Sequence, residues 1–278
     1  MVKRRSVWSI LGEVLAILVT GITHWVVYYF AIINACKTRA EAAQLNLKLP
    51  KEWAFMDNLK YVWNFNNRVF LRSFFNSVTI TVLSIIMVIF VASMAAWIMQ
   101  RRGGFITKWS DKIVLAGLTT PLAVVPTFWV LRTLHLNNTI PGIVLVEVAL
   151  IFPFSCMLYK DFCNNLPREI DEAAIIDGCG PLQLFFRVAF PLMKPITSAI
   201  IILRSLVVYN DFTNPMYFLQ GSKSSTVQLT IYLFQSTFVT DYGRLFTAVL
   251  LVCIPPVLLF LLLNKQIMEG VTMGAVKG

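Results

Sequence analysis

The sequence predicts an all-α polytopic membrane protein with six transmembrane helices, and three observations carry that prediction. Apolar residues make up 57% of the 278 and charged residues only 14%, with a mean hydropathy of +0.71, far more hydrophobic than a soluble domain. Six apolar runs, at about 11–33, 73–98, 113–131, 141–159, 191–212 and 242–263, each approach the ~20 residues a helix needs to cross a bilayer. One long interruption, LPREIDEAAIIDGCGPLQLFFRVAFP at 166–191, is too polar and too short to cross, which makes it a loop built for another protein.

The first run follows MVKRRSVWSI, a start with the basic region of a signal peptide. The apolar stretch behind it is too long and lacks a small-residue cleavage site, so it reads as an uncleaved first span. Segment 34–72 mixes charge with Trp53, Tyr61, Trp63 and Phe65 and ends in FLRSFFNS, an interfacial platform with its rings at headgroup level. An even number of spans puts both termini on one side. With the termini inside, the inner segments carry thirteen Lys and Arg and the outer ones ten, of which seven lie between Lys37 and Arg72; basic residues fix orientation, and this bias places both termini in the cytoplasm. Prolines recur within the runs, at Pro121, Pro126, Pro153, Pro195, Pro255 and Pro256. Each frees a carbonyl and bends its helix, as in spans that line something or move, against the plainer alternative that membrane helices tolerate proline. The chain divides into an N-terminal helix with its outer loop (1–72), a transmembrane domain (73–264) carrying the polar loop 167–191, and a C-terminal tail (265–278).

Composition also excludes several functions. The net charge of +10 comes from Lys and Arg in loops rather than in a stripe with aromatics, which fits lipid headgroups and orientation, not nucleic acid. Five scattered cysteines and two histidines supply neither a disulfide framework nor a metal site. No GxxxxGK[ST] is present, and the nearest string, GSKSST at 221–226, has the wrong spacing; the chain is expected to hydrolyse no ATP and to need no cofactor. Without GxSxG or HExxH, it offers no catalytic residue.

Within the polar loop, Pro167 precedes Glu169, Asp171 and Glu172, acids at the positive end of a helix dipole. Gly178 and Gly180 interrupt the pattern, and Pro181 opens a second helix with Leu182, Phe185, Phe186 and Val188 on one apolar face. Ala173 and Ala174 remove bulk so that the first helix can approach a groove, while Glu172 and Asp177 offer charge to a basic partner. The alternative, a helix resting on headgroups, favours Lys and Arg, whereas this face is acidic.

Two charges fall inside predicted spans. Counted from the ends of their runs, Glu147 and Arg204 both lie ~20 Å from the inner face, and an intramembrane charge needs a partner, so an ion pair between them is expected. Arg204 facing an acidic solute is the alternative. An ion-driven secondary transporter would use the same two residues as a relay, and a scaffold without transport would use neither.

The string EAAIIDG (Glu172 to Gly178), nine further residues, then VAFP (Val188 to Pro191) resembles the EAA loop of the membrane subunits of binding-protein-dependent ABC importers. Val188 and Phe190 depart from the usual isoleucine and leucine but keep apolar character. FFNSV at 74–78, YNDFTNP at 209–215 and the terminal GVTMGAVKG resemble the smaller permease subunit of maltose-type carbohydrate importers, so the likeness covers nearly the whole chain from about residue 55. Arg204 departs from that pattern, where apolar or small residues are usual. The resemblance implies a type I ABC importer permease fold with a cytoplasmic EAA coupling helix, in a bacterial cytoplasmic membrane. It implies coupling to an ATPase through Glu172, Ala173, Ala174, Asp177, Gly178 and Pro191. It further implies contact with an external solute-binding protein through Gln220, Gly221, Ser222 and Lys223, and insertion of Gly274, Ala275, Val276 and Lys277 between two ATPase subunits. The implied partners are a second permease in a heterodimer, two cytoplasmic ATPase subunits, the solute-binding protein and a sugar or oligosaccharide. A different solute is the first alternative. Tyr209, Asn210 and Phe212 are candidates for the substrate path.

Overall fold

The computed structural model describes residues 7–221, 223–231 and 241–275, with side chains for 12–65, 67–221, 223–231 and 241–262. Among them every regular element is helical: α1 (Val7–Ala35), α2 (Arg39–Ala42), α3 (Phe55–Arg101), α4 (Phe105–Thr119), α5 (Val124–Thr133), α6 (Ile140–Asn164), α7 (Glu169–Ile176), α8 (Pro181–Gln183), a π-helical stretch (Leu184–Ala189), α9 (Phe190–Leu192), α10 (Lys194–Asn210), α11 (Thr213–Phe218), α12 (Val227–Ile231) and α13 (Tyr242–Ala275).

Four segments are long and apolar enough to cross a membrane unbroken: Gly12–Ala35, Asn67–Arg101, Ile140–Asn164 and Tyr242–Leu262. The runs at 113–131 and 191–212 are instead bent pairs, Phe105–Thr119 with Val124–Thr133 at 116° and Pro181–Leu192 with Lys194–Asn210 at 73°. The crossing count is therefore four, or six if each bent pair is one span.

The first bend has a local cause. Pro121 has no N–H to continue α4 and drives the residue before it out of the helical region; Thr120 is extended at ψ 118. The hydroxyls of Thr119 and Thr120 turn back to the Ala116 carbonyl, at 3.1 and 2.8 Å. In the second pair, Met193 is the hinge and Lys194 begins the new helix, with Pro195 in its first turn, where a missing N–H costs nothing.

Helix α3 begins at Phe55, well before the apolar run at 73–98, and is marked by two left-handed residues, Asn67 at φ 57° and Arg68 at φ 59°. Asparagine tolerates that region better than most residues. The crossing segment starts there and runs 35 residues, ~52 Å at helical rise, longer than a hydrocarbon core of ~30 Å.

The chain forms two compact units, Met1–Leu71 with Thr230–Cys253, and Arg72–Leu229 with Ile254–Gly278. In the first, the α1 segment Gly12–Ala35 is only 6% buried, and the loop after it closes on Lys37. That ammonium is fully buried and donates to Asn34 Oδ1, the Asn46 carbonyl and Asn46 Oδ1 at 3.1, 2.7 and 2.9 Å, which uses all three of its N–H donors. Burial lowers its pKa, and the nearby Glu41 carboxylate opposes this. Asn58 Nδ2 donates to the carbonyls of Ala35 and Lys37, both at 3.0 Å, and Gly243 lies so close that a Cβ there would stand 2.8 Å from the Lys37 carbonyl.

The second unit is organised on α6, which packs against α4, α10 and α11. Its inward positions include Ile143, Val146, Ile151, Cys156 and Tyr159, and the Tyr159 hydroxyl donates to Thr197 Oγ1 of α10 at 2.9 Å. Small residues line the contacts of α3, with Ser84, Ala92, Ser93 and Ala96 fully buried, as expected where backbones approach inside a membrane.

The start of α6 is tight. Thr139 caps it by accepting the Gly142 N–H at 3.1 Å, and a Cβ on Gly142 would stand 2.1 Å from the Leu136 carbonyl oxygen. Backbone cannot yield as a side chain tip can, so Gly142→Ala is expected to destabilise the protein by about 1–3 kcal/mol. A lowered thermal unfolding midpoint in detergent is the result to look for, and an unchanged midpoint would show that the turn relaxes freely.

Candidate functional site

Helix α7 is the first functional candidate. Its first turn holds Glu169, Asp171 and Glu172, while Arg168 at the cap position supplies no side-chain hydrogen bond, so the acids meet the positive dipole end. It ends at Gly178, whose φ of +81° turns the chain while the N–H of Cys179 bonds the Ala174 carbonyl and that of Gly178 bonds the Ile175 carbonyl, each at 3.0 Å. This is a glycine-terminated helix end, at a φ a β-branched residue would find costly.

Successive residues of a helix point about 100° apart, and that separates the two alanines. Ala174 is 7% exposed and packs in the core with Leu184 and Phe185; it seats α7 on the π-helical stretch and presents nothing outward, contrary to the expectation that both alanines open a docking face. Ala173, Glu172, Asp177 and Gly178 are exposed. Beside them stand Ile175, 62% exposed, and Ile176, 84% exposed. Sequence reasoning missed these two isoleucines, although apolar residues flanked by acids in a segment outside the spans were the available signal for a partner surface.

The expected apolar face of the second helix also shifts. The π-helical turn from Leu184 to Ala189 bonds i to i+5, so Leu184, Phe185 and Ala189 are buried while Leu182 and Phe186 are exposed. Phe90 of α3 meets Phe186 and Phe190, with centroids 6.4 and 5.7 Å apart, and Phe185 lies against both of those rings, at 5.1 and 5.8 Å. This four-ring cluster fixes the loop to a crossing helix. Pro191 sits exposed in α9, next to the Met193 hinge.

At the C-terminal end of α3, Arg101 Nε lies 2.6 Å from Asp171 Oδ2, with both side chains 14% exposed. Burial raises the Asp171 pKa, and the Arg101 guanidinium opposes that rise.

The structure does not bring Glu147 and Arg204 together. Asn214 Nδ2 donates to Glu147 Oε1 at 3.4 Å, and Asp211 Oδ1 caps α11 by accepting the N–H groups of Thr213 and Asn214. Arg204 instead lays its guanidinium over Phe154, 3.9 Å from the ring centroid, and its buried Nε has no hydrogen-bond partner. The depth count failed because α6 runs on to Asn164, five residues past its apolar run, and α10 starts at Lys194, three residues after Pro191. Arg204 is ten residues into it, ~15 Å, whereas Glu147 stands seventeen residues above the end of α6, ~26 Å. Phe154 is seven residues below Glu147, two turns down the same side of α6. The relay an ion-driven carrier would draw from these two residues is therefore not assembled.

Near the opposite end of the second unit, Gln220 donates its N–H to Asn138 Oδ1 at 2.6 Å and Gly221 takes φ +92°. Asn76 Nδ2 holds the carbonyls of Lys223 and Ser225, both at 3.0 Å, and Ser77 Oγ accepts the Val227 N–H. Ser222 lies outside the described residues. Tyr209 is buried and Phe212 partly so, while the exposed Asn210 accepts from Gln228 Nε2 at 3.2 Å. Gly274 and Ala275 belong to the last turn of α13; Val276 and Lys277 lie outside the described residues. No group of three or more His, Cys, Asp or Glu able to hold a metal occurs among the described residues.

Residues 88–271 match the family described as "Binding-protein-dependent transport system inner membrane component". The chain is 30% identical over 249 residues to the diacetylchitobiose uptake system permease protein NgcG of Streptomyces coelicolor, covering 88% of this chain and 82% of that protein. It is 29% identical to the melibiose/raffinose/stachyose import permease protein MelC of Bacillus subtilis, over 94% of each. It is 28% identical to the arabinooligosaccharides transport system permease protein AraQ of the same organism, over 89% of this chain and 88% of that one. Among solved structures, a chain from the crystal structure of a bacterial ABC transporter involved in the import of the acidic polysaccharide alginate superposes with a TM-score of 0.80 at 17% identity, over 95% of this chain and 99% of that one.

Proposed function

Because the chain belongs to the binding-protein-dependent transport system inner membrane components, a family of multi-pass transport subunits rather than enzymes, we propose that it is one half of the translocation path of an ATP-driven importer for a sugar or oligosaccharide. An external binding protein delivers the solute, a second permease completes the path as a heterodimer, and two cytoplasmic ATPase subunits drive it. Both termini and α7 are cytoplasmic. The observation that carries the reading is α7 itself: a short acidic helix outside the spans, seated through Ala174, ended by left-handed Gly178, and showing Ile175 and Ile176 outward. A pair of exposed isoleucines beside acids fits a partner groove with an apolar floor and a basic rim.

Movement of α7 reaches the crossing helices along two routes, the four-ring cluster onto α3 and the Met193 hinge onto α10. Coupling needs a bistable element that both sites bias, here the permease pair rocking between inward-open and outward-open states. Glu172, Ala173, Asp177 and Gly178 meet the ATPase. The 220–223 turn, held by Asn76 and Asn138, meets the binding protein. Asn210 and Phe212 are the path candidates, since Tyr209 points into the core. The saccharide class is supported by the relatives named for sugar uptake.

The test is uptake by proteoliposomes holding the whole importer, offered labelled neutral oligosaccharides, amino acids or polyamines with the binding protein present. Saccharide uptake that requires ATP is the expected result. ATPase activity indifferent to saccharide would end the sugar assignment, and uptake without nucleotide would end the importer assignment.

A further inference from the structure

The last residue of α3 is clamped on three sides. Beyond its 2.6 Å ion pair with Asp171, Arg101 directs Nη2 to the carbonyls of Leu166 and Pro167, at 3.1 and 3.4 Å, and stacks its Cζ 4.5 Å over the Trp97 ring one turn back in its own helix. Next to it, Gln100 Nε2 donates to Asn164 Oδ1 at 2.7 Å. Asn164 is the end of α6, Leu166 and Pro167 are the link out of it, and Asp171 is in the first turn of α7. The end of α3 thus holds both ends of the α6 to α7 connection and the Leu166–Pro167 link between them.

Without this clamp the connection has two free joints. One is the Asn165–Pro167 link, where proline breaks the helix ladder; the other is Gly178, left-handed at φ +81°. A helix of eight residues between two such joints, whose buried seat is Ala174, can pivot on that seat when its outer face is pulled, and part of the pull would be lost in the pivot. Arg101 removes that freedom at the first joint: its fork bridges two backbone carbonyls and a carboxylate, a planar multi-donor arrangement that lysine cannot reproduce.

We propose that Arg101 is a positioning residue for energy coupling: through Asp171 and the Leu166–Pro167 carbonyls it makes α7 and the inner end of α3 move as one body, so that displacement of α7 by an ATPase becomes displacement of a crossing helix. The proposal rests on the importer reading above. Arg101 itself touches neither solute nor nucleotide; Glu172, Ala173 and Ile176 of the exposed face point away from Asp171, while Ile175 stands one turn on from it, on the same side.

The experiment uses the complete importer in proteoliposomes and measures uptake and ATP hydrolysis together, as solute moved per ATP. Variants are R101Q, R101K, D171N, R101D, D171R and the exchanged pair R101D/D171R. In R101Q the ATPase still copurifies and hydrolyses ATP, and the ratio of uptake to hydrolysis is expected to fall at least tenfold. R101K falls to an intermediate ratio, because it keeps charge but loses the fork, and the exchanged pair recovers a ratio above that of either single change. A merely structural role would lower uptake and hydrolysis together at constant ratio, and that result, or an exchanged pair no better than R101Q, overturns the proposal. If R101Q fails to assemble, the decision passes to R101K and the exchanged pair, where a ratio equal to wild type in R101K also overturns it. A wild-type complex with no ATP-dependent uptake would instead defeat the importer reading, leaving the two failures distinct.

Discussion

Exchanging Glu172 for Lys is expected to abolish ATP-driven uptake while the permease remains folded. Glu172 is exposed in the first turn of α7, so no core contact is lost, and an unfavourable charge near a helix start costs only about 0.3–1 kcal/mol. At the partner surface the change is far larger. In the proposed docking, a carboxylate aimed at a basic rim becomes an ammonium facing like charge, and reversing a close interfacial charge weakens association by roughly a hundredfold or more. Copurification of the ATPase and uptake should therefore fall together, with the thermal unfolding midpoint of the isolated permease unmoved. Wild-type uptake by this variant would remove α7 from the coupling route. Loss of uptake with a collapsed midpoint would mean that Glu172 serves the fold.

The second large effect is expected at Gly178, and its neighbour provides the control. A Cβ at either Gly178 or Gly180 meets nothing within 4 Å, so neither substitution is opposed by crowding. The backbones differ: Gly178 sits at φ +81°, Gly180 at φ −70° and ψ 165°. A β-branched residue in the left-handed region costs about 1–3 kcal/mol, while the extended region suits it. Gly178→Val should thus reset the angle at which α7 leaves its seat and reduce uptake roughly tenfold or more, whereas Gly180→Val should reduce it little. Gly178→Asn should fall between them, since asparagine tolerates this conformation. Equal losses at the two positions would show that the turn's conformation is not what matters.

Much of this was legible from the order of residues alone. The runs that became α1, α6 and α13 are plain, because twenty apolar residues in a row have few alternatives to crossing a bilayer. The acid-rich start, the two glycines and Pro181 located α7, its end and α8 correctly, since dipole, left-handed turn and N1 proline each act within a few residues. What failed involved contact at a distance or small angular shifts. The bend at Thr120 was foreshadowed by Pro121, yet how far a proline turns a helix depends on what it packs against. The Glu147 to Arg204 pairing failed because α6 runs five residues past its apolar run and α10 starts three residues after its own, offsets that together part the two side chains by about two helical turns. The π-helical stretch moved the apolar face of Leu184–Ala189 without changing its composition. Arg101 could not have been found: seventy residues separate it from Asp171, and nothing in QRRGG marks which arginine turns inward.

The corner between α4 and α5 constrains its surroundings in another way. Neither arm is long enough to traverse hydrocarbon alone, and between them Thr120, Pro121 and Ala123 lie open to the outside of this chain, where the helical ladder is interrupted between the Thr120 N–H, bonded back to Ala116, and the Ala123 carbonyl, bonded on to Thr127. Acyl chains offer the peptide groups within that break no hydrogen bond, so bare backbone at that depth survives only against water or another polypeptide. If the bent pair crosses as one span, this elbow is therefore no part of the lipid-facing perimeter. It marks, on a surface otherwise paved with greasy side chains, where the bilayer stops being the neighbour.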